Sequence, residues 1–135
     1  MPYLGRETMP TKSKNILITA CALGALSVMI GAFGAHGLRP ILTEYGRIET
    51  FETAVKYQFY HTLALLAIGI IDARWSQKLF SYAAYSMFIG VIIFSGSLYI
   101  LCLTNTPILG AITPFGGVLL IVGWVLLLLG IKKIK

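Results

Sequence analysis

Charged residues are scarce in this sequence, and the few present are bunched. Eleven basic and five acidic residues among 135 make 12% of the chain, against 57% hydrophobic, with a mean hydropathy of +0.82. A soluble domain of this length carries about twice that fraction of charge, so a water-exposed fold is excluded and lipid is the expected solvent. The motifs of common chemistry are missing as well: there is no GxSxG elbow, HExxH helix, Walker loop or dinucleotide fingerprint. Two cysteines, Cys21 and Cys102, lie far apart in uncharged stretches with no CxxC spacing and no ligand cluster, so they read as small hydrophobes. The glycine-rich GAFGAHG at 31–37 follows an apolar helix, without the strand-turn-helix setting in which backbone amides cradle phosphate. Nothing in this inventory implies a catalytic site, cofactor or metal, and the chain is expected not to be an enzyme.

What is present is four uncharged stretches: Asn15 to Leu38, Tyr57 to Ile71, Leu79 to Leu103 and Thr104 to Ile131. Burying a charge in hydrocarbon is costly, so charges collect where the chain meets water. A hydrocarbon core of about 30 Å needs roughly 20 helical residues. The first and third stretches suffice. The fourth does so from about Pro114, a proline suited to a first helical turn. The second is short and must extend backwards through Phe51 to Lys56, an extension favoured by the i, i+4 pair Glu52 and Lys56. The fold class predicted is therefore all-α, an integral membrane four-helix bundle with spans at about 15–37, 50–71, 79–103 and 114–131. Residues 1–14 are expected as a flexible tail, and 132–135 as a basic end. Ile48, Phe51, Ala54 and Val55 repeat at helical spacing and favour a short interfacial helix feeding the second span.

Basic residues set the orientation, because short cytoplasmic loops are rich in Lys and Arg. Arg6, Lys12, Lys14, Arg74, Lys78, Lys132, Lys133 and Lys135 fall on the side of the chain ends; the other side has Arg39, Arg47 and Lys56, offset by Glu44, Glu49 and Glu52. Both ends are thus expected in the cytoplasm of a plasma membrane. The net charge of +6 is mostly a topology signal, and no basic face or aromatic-basic motif points to nucleic acid. A cleaved signal peptide competes for the first stretch, but the apolar run exceeds a signal h-region. Trp75 and Tyr82 suit the cytoplasmic interface, whereas Trp124 falls near mid-membrane and its role is open.

Two features stand out within the spans. The first span is rich in small residues, with Ala20/Gly24 and Ser27/Gly31/Ala35 at small-xxx-small spacing, together with Gly34 and Gly37; it is expected to be the packing centre, received by Gly90, Gly123 and Gly130. Such faces also suit a homo-oligomer or a larger membrane complex. The second feature is a polar group that the topology gathers near the outer side: His36, His61, Tyr57 and Gln58, with Glu52 and Lys56 above them. An ionisable residue inside a membrane needs a polar partner or water. Either the histidines lock the first two spans together, or they serve a small ligand such as a proton, metal, haem, quinone or lipid. Asp72, beside Arg74, reads as an interfacial cap or surface pair.

Three segments, GAFGAHGL at 31–38, FETAVKYQFYHTLALL at 51–66 and TPFGGVLLIVGWVLL at 113–127, together resemble the domain of unknown function 423 family of small membrane proteins, which takes in YgdD-like bacterial proteins and eukaryotic transmembrane protein 256. The resemblance spans about residues 15–131. It implies a four-helix protein of the bacterial inner membrane and carries no enzyme activity with it. It adds weight to Gly31, Gly34, His36, Gly37, Tyr57, Gln58, His61, Pro114, Gly116, Gly117, Gly123 and Trp124 as family positions, the glycines Gly116 and Gly117 among them as packing residues. The leading functional expectation is a structural or accessory membrane component; the alternative is a carrier or binder of a small ligand at the histidine group.

Overall fold

The computed structural model describes residues 8–135, so half of the expected flexible tail, residues 1–7, lies outside the described ones. The chain forms α1 (Thr11–Ala35), a short α2 (Arg39–Glu44), α3 (Ile48–Arg74), α4 (Lys78–Thr104), a 3-10 turn over Pro107–Ala111 and α5 (Thr113–Lys132). Helices α1, α3, α4 and α5 are each long and apolar enough to cross a membrane. They form an up-down bundle in which α3 packs between α1 and α4, and α4 packs on α5. Large apolar side chains such as Ile18, Val28, Phe33, Ile70, Phe115 and Ile121 stay exposed around it. So broad an apolar surface is stable against lipid and would not be against water.

Two apolar clusters fill the bundle. One, near the chain ends, gathers Ala20, Leu65, Ile68, Phe80, Met87 and Leu127. The other, at the opposite end, gathers Leu42, Phe51, Leu101 and Cys102, the last behaving as the small hydrophobe expected.

Several boundaries differ from the expected ones for identifiable reasons. Helix α1 takes in residues 11–14, because Lys12 and Ser13 bond to Asp72 of α3 and fix that turn. The short helix between the first two spans lies over Arg39–Glu44, with Pro40 in its first turn, and residues 48–56 are continuous with the span instead. Between them Gly46 turns the chain at φ +63°, a conformation that favours glycine. Helix α1 stops at Ala35, and Leu38 N–H reaches back to Phe33 O at 2.8 Å. Gly37 takes no left-handed conformation there. Asn105 does, at φ 50°, ending α4, and its Oδ1 accepts from the Arg47 guanidinium at 3.3 Å.

The packing centre is α4 with α3, not α1. The buried α1 residues Ser13, Ala20, Ser27 and Gly34 recur every seven residues on the face that packs on α3. Leu17 sits against Gly69, Gly24 against Thr62 and Gly31 against Val55, an antiparallel register in heptad steps. The glycines expected to receive α1 instead join α4 to α5. Phe94, Met87 and Phe80 of α4 enter the spaces left by Gly116, Gly123 and Gly130 of α5, and Leu120 of α5 packs on Gly90 of α4. The buried face of α5, Thr113, Gly116, Leu120, Gly123, Leu127 and Gly130, is a continuous 3-4 repeat. With no hydrophobic drive between helices in lipid, close approach at glycine supplies the packing that holds them. Gly37 and Gly117 take no part in it: a Cβ on either would meet its nearest neighbour at 3.7 Å, ordinary contact.

Candidate functional site

Polar side chains of α3 bond to the other spans in two layers, while Ser97 and Thr113 pair separately between α4 and α5 at 2.7 Å. The inner layer rests on one turn of α3, residues Tyr57, Gln58 and His61, near the middle of that helix. Gln58 is buried and used at both ends: its Nε2 donates to Leu23 O of α1 at 3.1 Å, and its Oε1 accepts from Tyr99 Oη of α4 at 2.7 Å. His61, also buried, accepts at Nε2 from the Trp124 indole N–H of α5 at 3.1 Å. An indole only donates, so the imidazole proton sits on Nδ1, which donates to Tyr57 O at 2.7 Å. The Tyr57 ring stacks on Phe94 of α4 with centroids 4.6 Å apart. Ser95 Oγ of α4 donates to Ala54 O of α3 at 2.7 Å. One turn of α3 thereby touches all three other spans through polar or stacked groups.

This arrangement corrects the expected polar group in two ways. His36 and His61 are not brought together. Thr62 faces Gly24, and His36 lies twelve residues beyond Gly24, about 18 Å farther along the helix. His36 is exposed at the end of α1, and Glu52 and Lys56 are exposed near the start of α3. Neither Glu52 nor Lys56 forms an ion pair with a described residue; both line an open pocket with Gly34, Ala35 and Arg39 at that end of the bundle. Trp124, left without a role by the sequence, is the partner of His61. Tyr99 was missed as well; a tyrosine in an apolar span is a signal, since its hydroxyl requires a partner when buried.

The outer layer, on the side of the chain ends, was also missed. Asp72 is fully buried. Its Oδ1 pairs with Lys12 Nζ at 2.9 Å, and its Oδ2 accepts from Ser13 Oγ at 2.7 Å. The backbone N–H of Gln77 adds a longer bond to Oδ1 at 3.4 Å, while the Gln77 side chain donates to Gly130 O of α5 at 2.9 Å. Asp72 is therefore no surface pair: Arg74 instead lies over the Trp75 ring, 5.8 Å from its centroid. The carboxylate has to be buried because α1 covers it, and Lys12 and Ser13 compensate the charge. Among the described residues every buried side-chain nitrogen and oxygen has a partner.

Comparison with known proteins identifies the chain. A family model described as "Protein of unknown function (DUF423)" matches residues 30–117, about two thirds of the sequence. The chain belongs to the DUF423 family. The matched region holds α2, α3 and α4 with Gln58, His61 and Tyr99, while Trp124, Gly123 and Gly130 lie beyond it. This DUF423 member is 51% identical over 117 residues to a UPF0382 membrane protein of Staphylococcus saprophyticus, covering 83% of this chain and 95% of that one. It is 49% identical over 120 residues to a UPF0382 membrane protein of Staphylococcus haemolyticus, covering 89% and 97%. A third, from Staphylococcus aureus, is 48% identical over 115 residues, covering 82% and 93%. Their names state membrane residence and no activity. No solved structure matches the chain.

Proposed function

We propose that this DUF423 protein is a non-catalytic component of the plasma membrane, a structural or accessory part of the bilayer or of a membrane complex. The observation that carries this reading is the use of Gln58 and His61 in bonds between spans. Both imidazole nitrogens are spent on the protein, as they would be in a helix lock and would not be in a metal or haem ligand. The cytoplasmic placement of both ends, in the manner of a bacterial inner-membrane protein, is supported by Lys12, Lys14, Arg74, Lys78 and the three lysines after Ile131 on one side. The same reading makes the exposed outer faces of α1 and α5 the surfaces available to lipid or a partner.

Two measurements test it. Absorption spectra and metal and quinone analysis of the purified protein are expected to find no stoichiometric haem, metal or quinone. His61→Ala is expected to lower stability without releasing one; a bound group lost from a folded His61→Ala protein would turn the reading into a ligand carrier. In sealed spheroplasts, a cysteine at Ser76 is expected to stay shielded from an impermeant thiol reagent, and one at Gly110 to react. The reverse pattern would put the ends outside.

A further inference from the structure

Helices α1 and α4 both start on the basic side of the bundle and run parallel, yet α1 leans on α3. A groove of about 190 Å³ lies between α1 and α4 and opens sideways toward lipid. Its lining changes with depth. Lys12 and Asn15 of α1 and Ser81 of α4 stand at the mouth, within the first turns of both helices. Farther in, Leu65, Ala84 and Phe88 make the wall apolar. The two turns from Ser81 to Phe88 span about 10 Å. A polar mouth at the headgroup level above an apolar trough matches an amphiphile lying along a helix.

The charge at the mouth selects its sign. Lys12 Nζ has three N–H groups; one reaches Asp72 Oδ1 at 2.9 Å and one Gln77 O at 3.4 Å, and the third has no acceptor among the described residues. Asp72 is the one acidic side chain at this end among the described residues, and Lys12 already offsets it, while Lys14, Arg74, Lys78, Lys132, Lys133 and Lys135 add positive charge at the same end of the bundle. The local field is positive, which attracts anionic headgroups.

We propose that this groove binds one anionic phospholipid, with its phosphate at Lys12 and Asn15 and an acyl chain laid against Leu65, Ala84 and Phe88. The site is separate from the Gln58 and His61 layer and does not depend on the reading of that layer. Its position lets α1, which is held by α3 along a single face, rest on a lipid where it lacks a second helix.

The test uses the full chain reconstituted in vesicles of equal phosphatidylglycerol and phosphatidylethanolamine, then released in mild detergent for native mass spectrometry. We expect one phosphatidylglycerol retained per chain, enriched about fivefold over phosphatidylethanolamine, the factor that one interfacial lysine supplies. Thr19→Phe fills the groove from α1 and leaves Lys12 and Asp72 paired; it is expected to abolish the retained lipid, with α-helical content unchanged. Ser81→Phe blocks the same groove from α4, so a folding defect in one variant still leaves the other to decide. Retention of both lipids in the bulk ratio would overturn the proposal, as would undiminished phosphatidylglycerol on a folded blocked variant. A disulfide between chains through Asn15→Cys and Tyr85→Cys would also overturn it, by showing a second copy in the groove.

Discussion

At the scale of single residues, stability rests on polar groups that exchange bonds between helices. Gln58 is the sharpest case, since Gln58→Leu strands the Tyr99 hydroxyl and frees Leu23 O from its second span. We expect it to cost about 1–2 kcal/mol in a detergent unfolding titration, and Tyr99→Phe to cost less. The double variant should cost less than the sum, with a coupling of about 0.5–1.5 kcal/mol. Asp72→Asn or Lys12→Met alone breaks a pair whose carboxylate is buried and whose ammonium is partly exposed, and is expected to cost about 1–3 kcal/mol, whereas the two together should restore much of the loss. The sequence showed which residues need partners and not which partners they find. Gln58 and His61 are conspicuous inside an uncharged span, but Leu23 O, Tyr99 and Trp124 are chosen by the rotation of helices that one-dimensional spacing does not fix. Asp72 was misread for a related reason: adjacency to Arg74 along the chain suggested a pair, while the side chain turns beneath α1 toward Lys12.

At the scale of helices, the contact of α4 with α5 depends on an absence of side chain at regular intervals. A Cβ at Gly116 would overlap the backbone of Phe94, which has no rotamer by which to yield. Gly116→Ala is therefore expected to lower stability by about 1–3 kcal/mol in thermal unfolding followed by circular dichroism. Gly117→Ala and Gly37→Ala, with open contacts, should stay within about 0.5 kcal/mol of the parent. The four spans were legible from charge placement alone, and the start of α5 at Thr113 agrees with a helix read from about Pro114. The glycine repeat of α5 was equally visible, but its partner was assigned to α1. Small residues announce close approach without naming the neighbour; the register of Phe80, Met87 and Phe94 supplies that name and is spread over another helix.

At the scale of the whole molecule, the register of α1 on α3 makes a geometric prediction. With Cys21 and Cys102 replaced by alanine, a cysteine pair at 17 and 69 is expected to form a disulfide within one chain on mild oxidation. A pair at 36 and 61 should form none, because about 18 Å separates their levels. Gel mobility under non-reducing conditions reads both results, and a bond between 36 and 61 would refute the register.

The order in which the helices touch is also the order in which a ribosome would deliver them. Each new span finds its main surface on the span made just before it, so assembly needs no helix to wait unpartnered for a distant segment, and the contact order of the bundle is low. The bond from Trp124 to His61 skips a span, reaching past α4 to a residue 63 positions earlier. It can close only when the last helix is home. A chain stopped before α5 would therefore leave His61 Nε2 without its partner, because the Trp124 indole, like the Gln77 side chain on Gly130 O, bonds only once α5 is in place.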